Sequence, residues 1–99
     1  MVAASDRMQG GQVSAAFVPG RGQLYLVGSL PDPSKGRVYQ VWLVGNGAFH
    51  DAGTFLPDAG LVLLRISADP SGYDGVLITE EPASGSHSPS SRHVVTAAF

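Results

Sequence analysis

Val38-Tyr39-Gln40-Val41-Trp42-Leu43-Val44, followed by Gly45-Asn46-Gly47-Ala48, is the stretch on which the fold turns. Seven residues rich in β-branched and aromatic side chains, with the only tryptophan of the chain among them, predict a strand with apolar contacts on both faces, which places it centrally in a sheet. Asn46-Gly47 tolerates the two positive φ values of a type I′ turn, so the chain is expected to fold back at once into a second strand, Ala48 to Phe55.

Outward from this hairpin the same grammar repeats. Toward the N-terminus, Gln23 to Leu30 alternates, with Leu24, Leu26, Gly28 and Leu30 on one face and Tyr25 and Val27 on the other. Pro31-Asp32-Pro33-Ser34-Lys35-Gly36 separates it from the central strand, because two prolines remove ladder donors and keep their predecessors extended. A further strand, Gln12 to Val18, is closed by Pro19-Gly20-Arg21-Gly22. Residues 1 to 10 read as a frayed lead or linker remnant, which leaves 11 to 99 as a single domain.

Toward the C-terminus, Pro57-Asp58-Ala59-Gly60 is a turn leading into Leu61 to Ile66, and the third, fourth and fifth strands are expected to form a meander. Asp69-Pro70-Ser71-Gly72 centres a polar connection to Val76-Leu77-Ile78-Thr79. Glu80 to Arg92 is a long Ser-, Gly- and Pro-rich loop, and His93 to Ala98 is the last strand. About seven short strands without an intervening helical pattern define an all-β fold, an antiparallel β-sandwich of Ig-like or partly closed barrel form.

Composition narrows the function. At 99 residues and 43% hydrophobic content the chain supports one core. It has no cysteine, so disulfides, thiolate metal sites and cysteine nucleophiles do not arise. A net charge of −2, with six Lys and Arg scattered singly, argues against nucleic acid as a partner. The apolar runs Val41 to Val44 and Leu61 to Leu64 fall far short of the roughly 18 residues that cross a bilayer, so no membrane insertion by this segment is expected, and any anchor or export signal is expected upstream of Met1.

Candidate sites are few. His50, His87 and His93 are the available imidazoles, but none has a second histidine at i+2 or i+4, and they are read as loop residues rather than metal ligands. Ser86-His87 lacks the Gly-x-Ser-x-Gly elbow that exposes a nucleophile. Glu80 and Glu81 are adjacent, so on an extended segment they point to opposite faces and do not form an acid/base pair. One of them is expected to accept backbone N–H bonds from Ala83-Ser84-Gly85-Ser86 and so shape that loop. Tyr39, Trp42 and Phe55 are read as core, and Tyr25 as the better candidate for an exposed recognition residue. No catalytic, cofactor-binding or metal residue is assigned, no cofactor is expected, and an enzyme is not.

Three motifs then come together in order. Tyr39-Gln40-Val41-Trp42-Leu43-Val44, Ala52-Gly53-Thr54-Phe55, and Thr79-Glu80-Glu81-Pro82-Ala83-Ser84-Gly85-Ser86-His87-Ser88-Pro89 resemble the C-terminal domain of the anti-sigma-K factor family. Its pattern is a Tyr-Gln-Leu-Trp-Leu strand, an Ala-Gly-Thr-Phe strand and a Thr-x-Glu-Pro-x-Gly-Gly-Ser-x-x-Pro loop. Ser84 stands where the first of the two loop glycines is usual, and Glu80-Glu81 is a second departure. The resemblance, which runs over roughly Gly22 to Val95, implies a regulatory rather than catalytic role. It implies an extracytoplasmic sensor or protecting domain on a single-pass protein of the bacterial cell membrane. The cytoplasmic N-terminal part of such a protein holds an extracytoplasmic-function sigma factor, which proteases release by regulated cleavage. The other reading is a free-standing secreted or cell-surface β-sandwich that recognises a polymer or adhesin partner.

With the core assigned to Trp42, Trp42→Ala is expected to destabilise the domain by about 3–5 kcal/mol. A melting temperature within a degree or two of the parent would contradict that assignment.

Overall fold

The computed structural model describes residues 2–3, 12–18, 22–67 and 72–98. The strands are β1 (Val2–Ala3), β2 (Gln12–Val18), β3 (Gln23–Ser29), β4 (Arg37–Gly45), β5 (Ala48–Phe55), β6 (Leu61–Ser67), β7 (Gly75–Pro82) and β8 (His93–Ala98). They make two four-stranded antiparallel sheets, ordered β1-β2-β3-β6 and β5-β4-β7-β8, packed as a sandwich and not closed into a barrel. Seven strands are of ordinary length and β1 is a two-residue pairing of Val2 and Ala3 with Ala15 and Ser14. The turns expected at 19–21 and 69–71 lie outside the described residues, as does most of the lead.

Period-two alternation builds the interior. Val13 and Ala15 from β2, Leu24 and Leu26 from β3 and Val62 from β6 meet Tyr39, Val41 and Leu43 from β4, Val76 and Ile78 from β7 and Val95 from β8. Each large aliphatic side chain so buried contributes about 1.5–3 kcal/mol relative to exposure. Leu30 joins this core, Phe55 packs against it, and the Tyr39 and Phe55 rings lie 5.5 Å apart. The Tyr39 hydroxyl donates to the Pro31 carbonyl at 2.5 Å, which ties the proline-rich connection to the central strand.

The Asn46-Gly47 hairpin forms as read, with Gly45 paired to Ala48 and φ of 53° and 71° at the two turn residues. Both lie in the left-handed region that a type I′ turn requires. The meander does not form. Asp58 bridges Leu61 through two backbone hydrogen bonds of 2.9 Å, closing a two-residue turn at Ala59-Gly60, but β6 then pairs with β3 and not with β5. The Leu30 amide holds the Gly60 carbonyl at 3.0 Å, which brings β6 to the end of β3, and the chain changes sheets here.

Ala59 carries this turn at φ 51°, the left-handed region that a Cβ disfavours. Ala59→Gly is therefore expected to raise stability by about 0.5–1 kcal/mol, the steric relief exceeding the extra unfolded-state entropy of glycine. Chemical denaturation with an unchanged slope checks this.

Candidate functional site

Residues on β4 that do not face the other sheet face outward, yet they are not exposed. Gln40 is 1% and Trp42 0% accessible, as are Thr79 (0%) and Glu81 (1%) on the neighbouring β7. The tryptophan is thus buried as expected but lies outside the inter-sheet core, on the opposite face of its sheet. Apolar alternation identifies the two faces of a strand without saying what covers each.

What covers this face is the segment 83–92, drawn across it by hydrogen bonds. The Trp42 indole N–H donates to Thr79 Oγ1 at 2.9 Å, and that hydroxyl in turn donates to Glu81 Oε2 at 2.5 Å. Glu81 Oε2 also accepts the Ser90 N–H at 2.8 Å, and Oε1 accepts the Ser86 hydroxyl at 2.9 Å. Gln40 binds the same loop twice: its Oε1 accepts the Ser86 N–H at 2.9 Å and its Nε2 donates to the Ser86 carbonyl at 3.1 Å. Among the described residues no buried side-chain polar atom is left without a partner.

Burial raises the Glu81 pKa, but hydrogen bonds from Thr79, Ser90 and Ser86 outweigh it and hold the carboxyl below its ordinary value. The expectation that one glutamate shapes the loop is met with different donors. Ser90 supplies the backbone N–H, Ser86 its hydroxyl, and the Ser86 amide goes to Gln40. Glu80 points the other way, toward Arg92 Nη1 at 3.3 Å and Arg37 Nε at 3.9 Å, so the two carboxylates share nothing. Gly85 sits at φ 78°, whereas Ser84 is not among the residues of positive φ. The first of the two usual loop glycines is therefore not required by this backbone, and the second is.

Beside the loop lies a polar cleft of about 330 Å³, lined by Gln40, Asp51, Thr54, Ser84, Ser86 and His87. Asp51 Oδ1 accepts the Gly53 N–H at 2.8 Å, which shapes its β5 wall. His50 is exposed on β5, edge-on to Tyr73 with ring centroids 5.5 Å apart, and His87 is exposed in the loop. The His93 side chain lies outside what is described. Among the described residues no three His, Cys, Asp or Glu side chains converge on a metal position. The Ser86 hydroxyl is committed to Glu81 and not to the adjacent His87. Tyr25 is half-buried, its hydroxyl donating to Gln23 Oε1 at 3.1 Å. The Gln40 and Thr79 contributions were not foreseen, although both residues stand inside the motifs quoted above.

The fold and this site define an all-β sandwich module in which a glutamate on one strand and a glutamine on the next lock a long loop over a sheet face. The family model described as "Anti-sigma-K factor rskA, C-terminal" matches residues 1–94, and the chain belongs to that family. An anti-sigma-K factor RskA of Mycobacterium ulcerans is 36% identical over 87 residues, covering 86% of this chain and 38% of that protein. A Streptomyces griseus protein described only as an uncharacterized protein in the phr 5′ region is 32% identical over 76 residues, 77% of this chain and 32% of its own length. The chain thus spans about a third of the length of these curated relatives. No solved structure gave a significant match.

Because the folded Glu81 carboxyl titrates below its unfolded value, its stabilising effect is present above the unfolded pKa of about 4.3 and is lost as pH falls through the lower folded value. Glu81→Gln, which presents an amide N–H to one of the donors, is expected to cost about 1–3 kcal/mol at pH 7. It should also flatten the loss of stability in acid. Denaturation curves from pH 7 to pH 3 read both effects, and identical acid limbs for parent and variant would contradict the assignment.

Proposed function

We propose that this chain is the extracytoplasmic sensor or regulatory domain of a membrane-bound anti-sigma factor. In this reading a separate N-terminal part binds an extracytoplasmic-function sigma factor and a spanning helix joins the two. The domain itself performs no chemistry and governs access of proteases to the protein. The observation that carries the reading is the family match over residues 1–94, joined to a relative named as an anti-sigma-K factor of which this domain is 38%. A domain occupying about a third of such a protein is sized to be one functional part of it.

The site supports a regulatory rather than a catalytic part. Its buried polar groups are spent on one another: Trp42 on Thr79, Thr79 on Glu81, Glu81 and Gln40 on the loop. A catalytic constellation needs a nucleophile or base free to meet a substrate. A loop locked by its own carboxylate instead gives the domain a defined closed surface whose loosening changes what a protease or partner meets.

An antibody raised against the chain, used on fractionated source cells, tests the reading. The expected result is a membrane-bound band about three times the length of the chain, and a soluble band at the size of the chain would overturn it in favour of a free-standing binding module. In the full-length protein, deletion of this domain is expected to change the rate of the first proteolytic cut. An unchanged cut would remove the sensing role and leave the family assignment intact.

A further inference from the structure

The outward face of the β1-β2-β3-β6 sheet carries an apolar patch rimmed by opposite charges. Leu61 is 66%, Leu63 75% and Val27 50% exposed, and the register sets Val27 directly beside Leu63. Alternation puts Arg65 on the same face two residues beyond Leu63, beside Tyr25. Asp58 bridges Leu61 across the Ala59-Gly60 turn, and bridged residues share a face, so the exposed Asp58 stands at the other end of the row. This face therefore carries an acidic group beside Leu61 at one end, Leu61, Leu63 and Val27 in the middle, and the basic Arg65 at the other end. Contiguous exposed apolar surface with a polar rim marks an interaction site.

We infer that this face packs against the same face of a second copy of the chain. The arrangement is self-complementary under a two-fold axis lying between the two sheets, perpendicular to the strands and passing through the Val27–Leu63 pair. That axis reverses the strand direction, so Leu63 meets Leu63 and Val27 meets Val27 of the second copy, and Arg65 of each copy lies over Leu61 of the other. Asp58 is the immediate cross-strand neighbour of Leu61, about 5.5 Å away between Cα atoms as in any hydrogen-bonded antiparallel pair, which is within reach of the guanidinium lying over Leu61. Two ion pairs then flank an apolar centre, the isologous pattern that a two-fold dimer requires. Sheets packed in this way sit about 10 Å apart with strands turned by about 30°, which brings side chains of this size into contact.

The patch is small, so the dimer is expected to be weak, forming at about 0.1–1 mM. Sedimentation equilibrium of the 99-residue chain over that range tests it. The expected result is a concentration-dependent dimer that Leu63→Lys abolishes. Leu63 is three-quarters exposed, so this variant keeps the fold, and an unchanged circular dichroism spectrum verifies that. Asp58→Arg and Arg65→Asp are each expected to weaken association about tenfold, and the double variant D58R/R65D to restore it. A chain that stays monomeric to about 1 mM overturns the inference and gives the patch to some other partner. A dimer indifferent to Leu63→Lys, or one that the double variant fails to restore, overturns it equally.

Discussion

The Glu81 carboxylate is almost wholly buried, and the ion pairs among the described residues belong to its neighbour Glu80 instead. A buried carboxylate without a cation is tolerated only when hydrogen bonds replace its hydration. Two of the three donors, the Ser86 hydroxyl and the Ser90 amide, come from the loop. The loop conformation is thus a condition for burying the charge, and the buried charge is a condition for closing the loop. Trp42 depends on the same bargain, since its indole N–H reaches Thr79, whose own proton is committed to Glu81. Removing any member leaves a neighbour unsatisfied in a low-dielectric setting, where that is costly.

This constraint explains why β4 is buried on both faces in a domain of only two sheets. One face meets the opposite sheet through Tyr39, Val41 and Leu43, as any sandwich strand does. The other is covered by the chain itself, so the domain has in effect a third, irregular layer. On the β1-β2-β3-β6 sheet, by contrast, Val27, Leu61 and Leu63 are half or more exposed, with no such cover among the described residues. The asymmetry between a sealed face and an open one gives the two sheets different work. One holds the locked loop, and the other offers a surface to a partner.

The strands were legible because their signals are local. Alternation at Gln23 to Leu30, the apolar run at Val38 to Val44, the Asn46-Gly47 turn and the Pro57 turn all act within a few residues, and strands and turns appear where these signals stand. The opposite pointing of Glu80 and Glu81 was legible for the same reason. The meander was misread because the Ala59-Gly60 turn is a real hairpin turn only one bridge long. Nothing in its residues reports that the Leu30 amide captures the Gly60 carbonyl and draws β6 to β3. The docking of the loop on Gln40 was likewise invisible, because its bonds to Ser86 join residues 46 positions apart.

By itself, then, the sequence determined the all-β class, the central place of β4, the hairpin at Asn46-Gly47 and, through three motifs, the family. Each of these rests on side-chain period or on backbone conformations that individual residues favour or forbid. Only the tertiary structure decided which sheet each strand joins, that Trp42 turns away from the inter-sheet core, and which donors neutralise the burial of Glu81. Those outcomes are set by pairing and desolvation between distant segments, whose free energies depend on where the whole chain places them and are not a property of any local stretch.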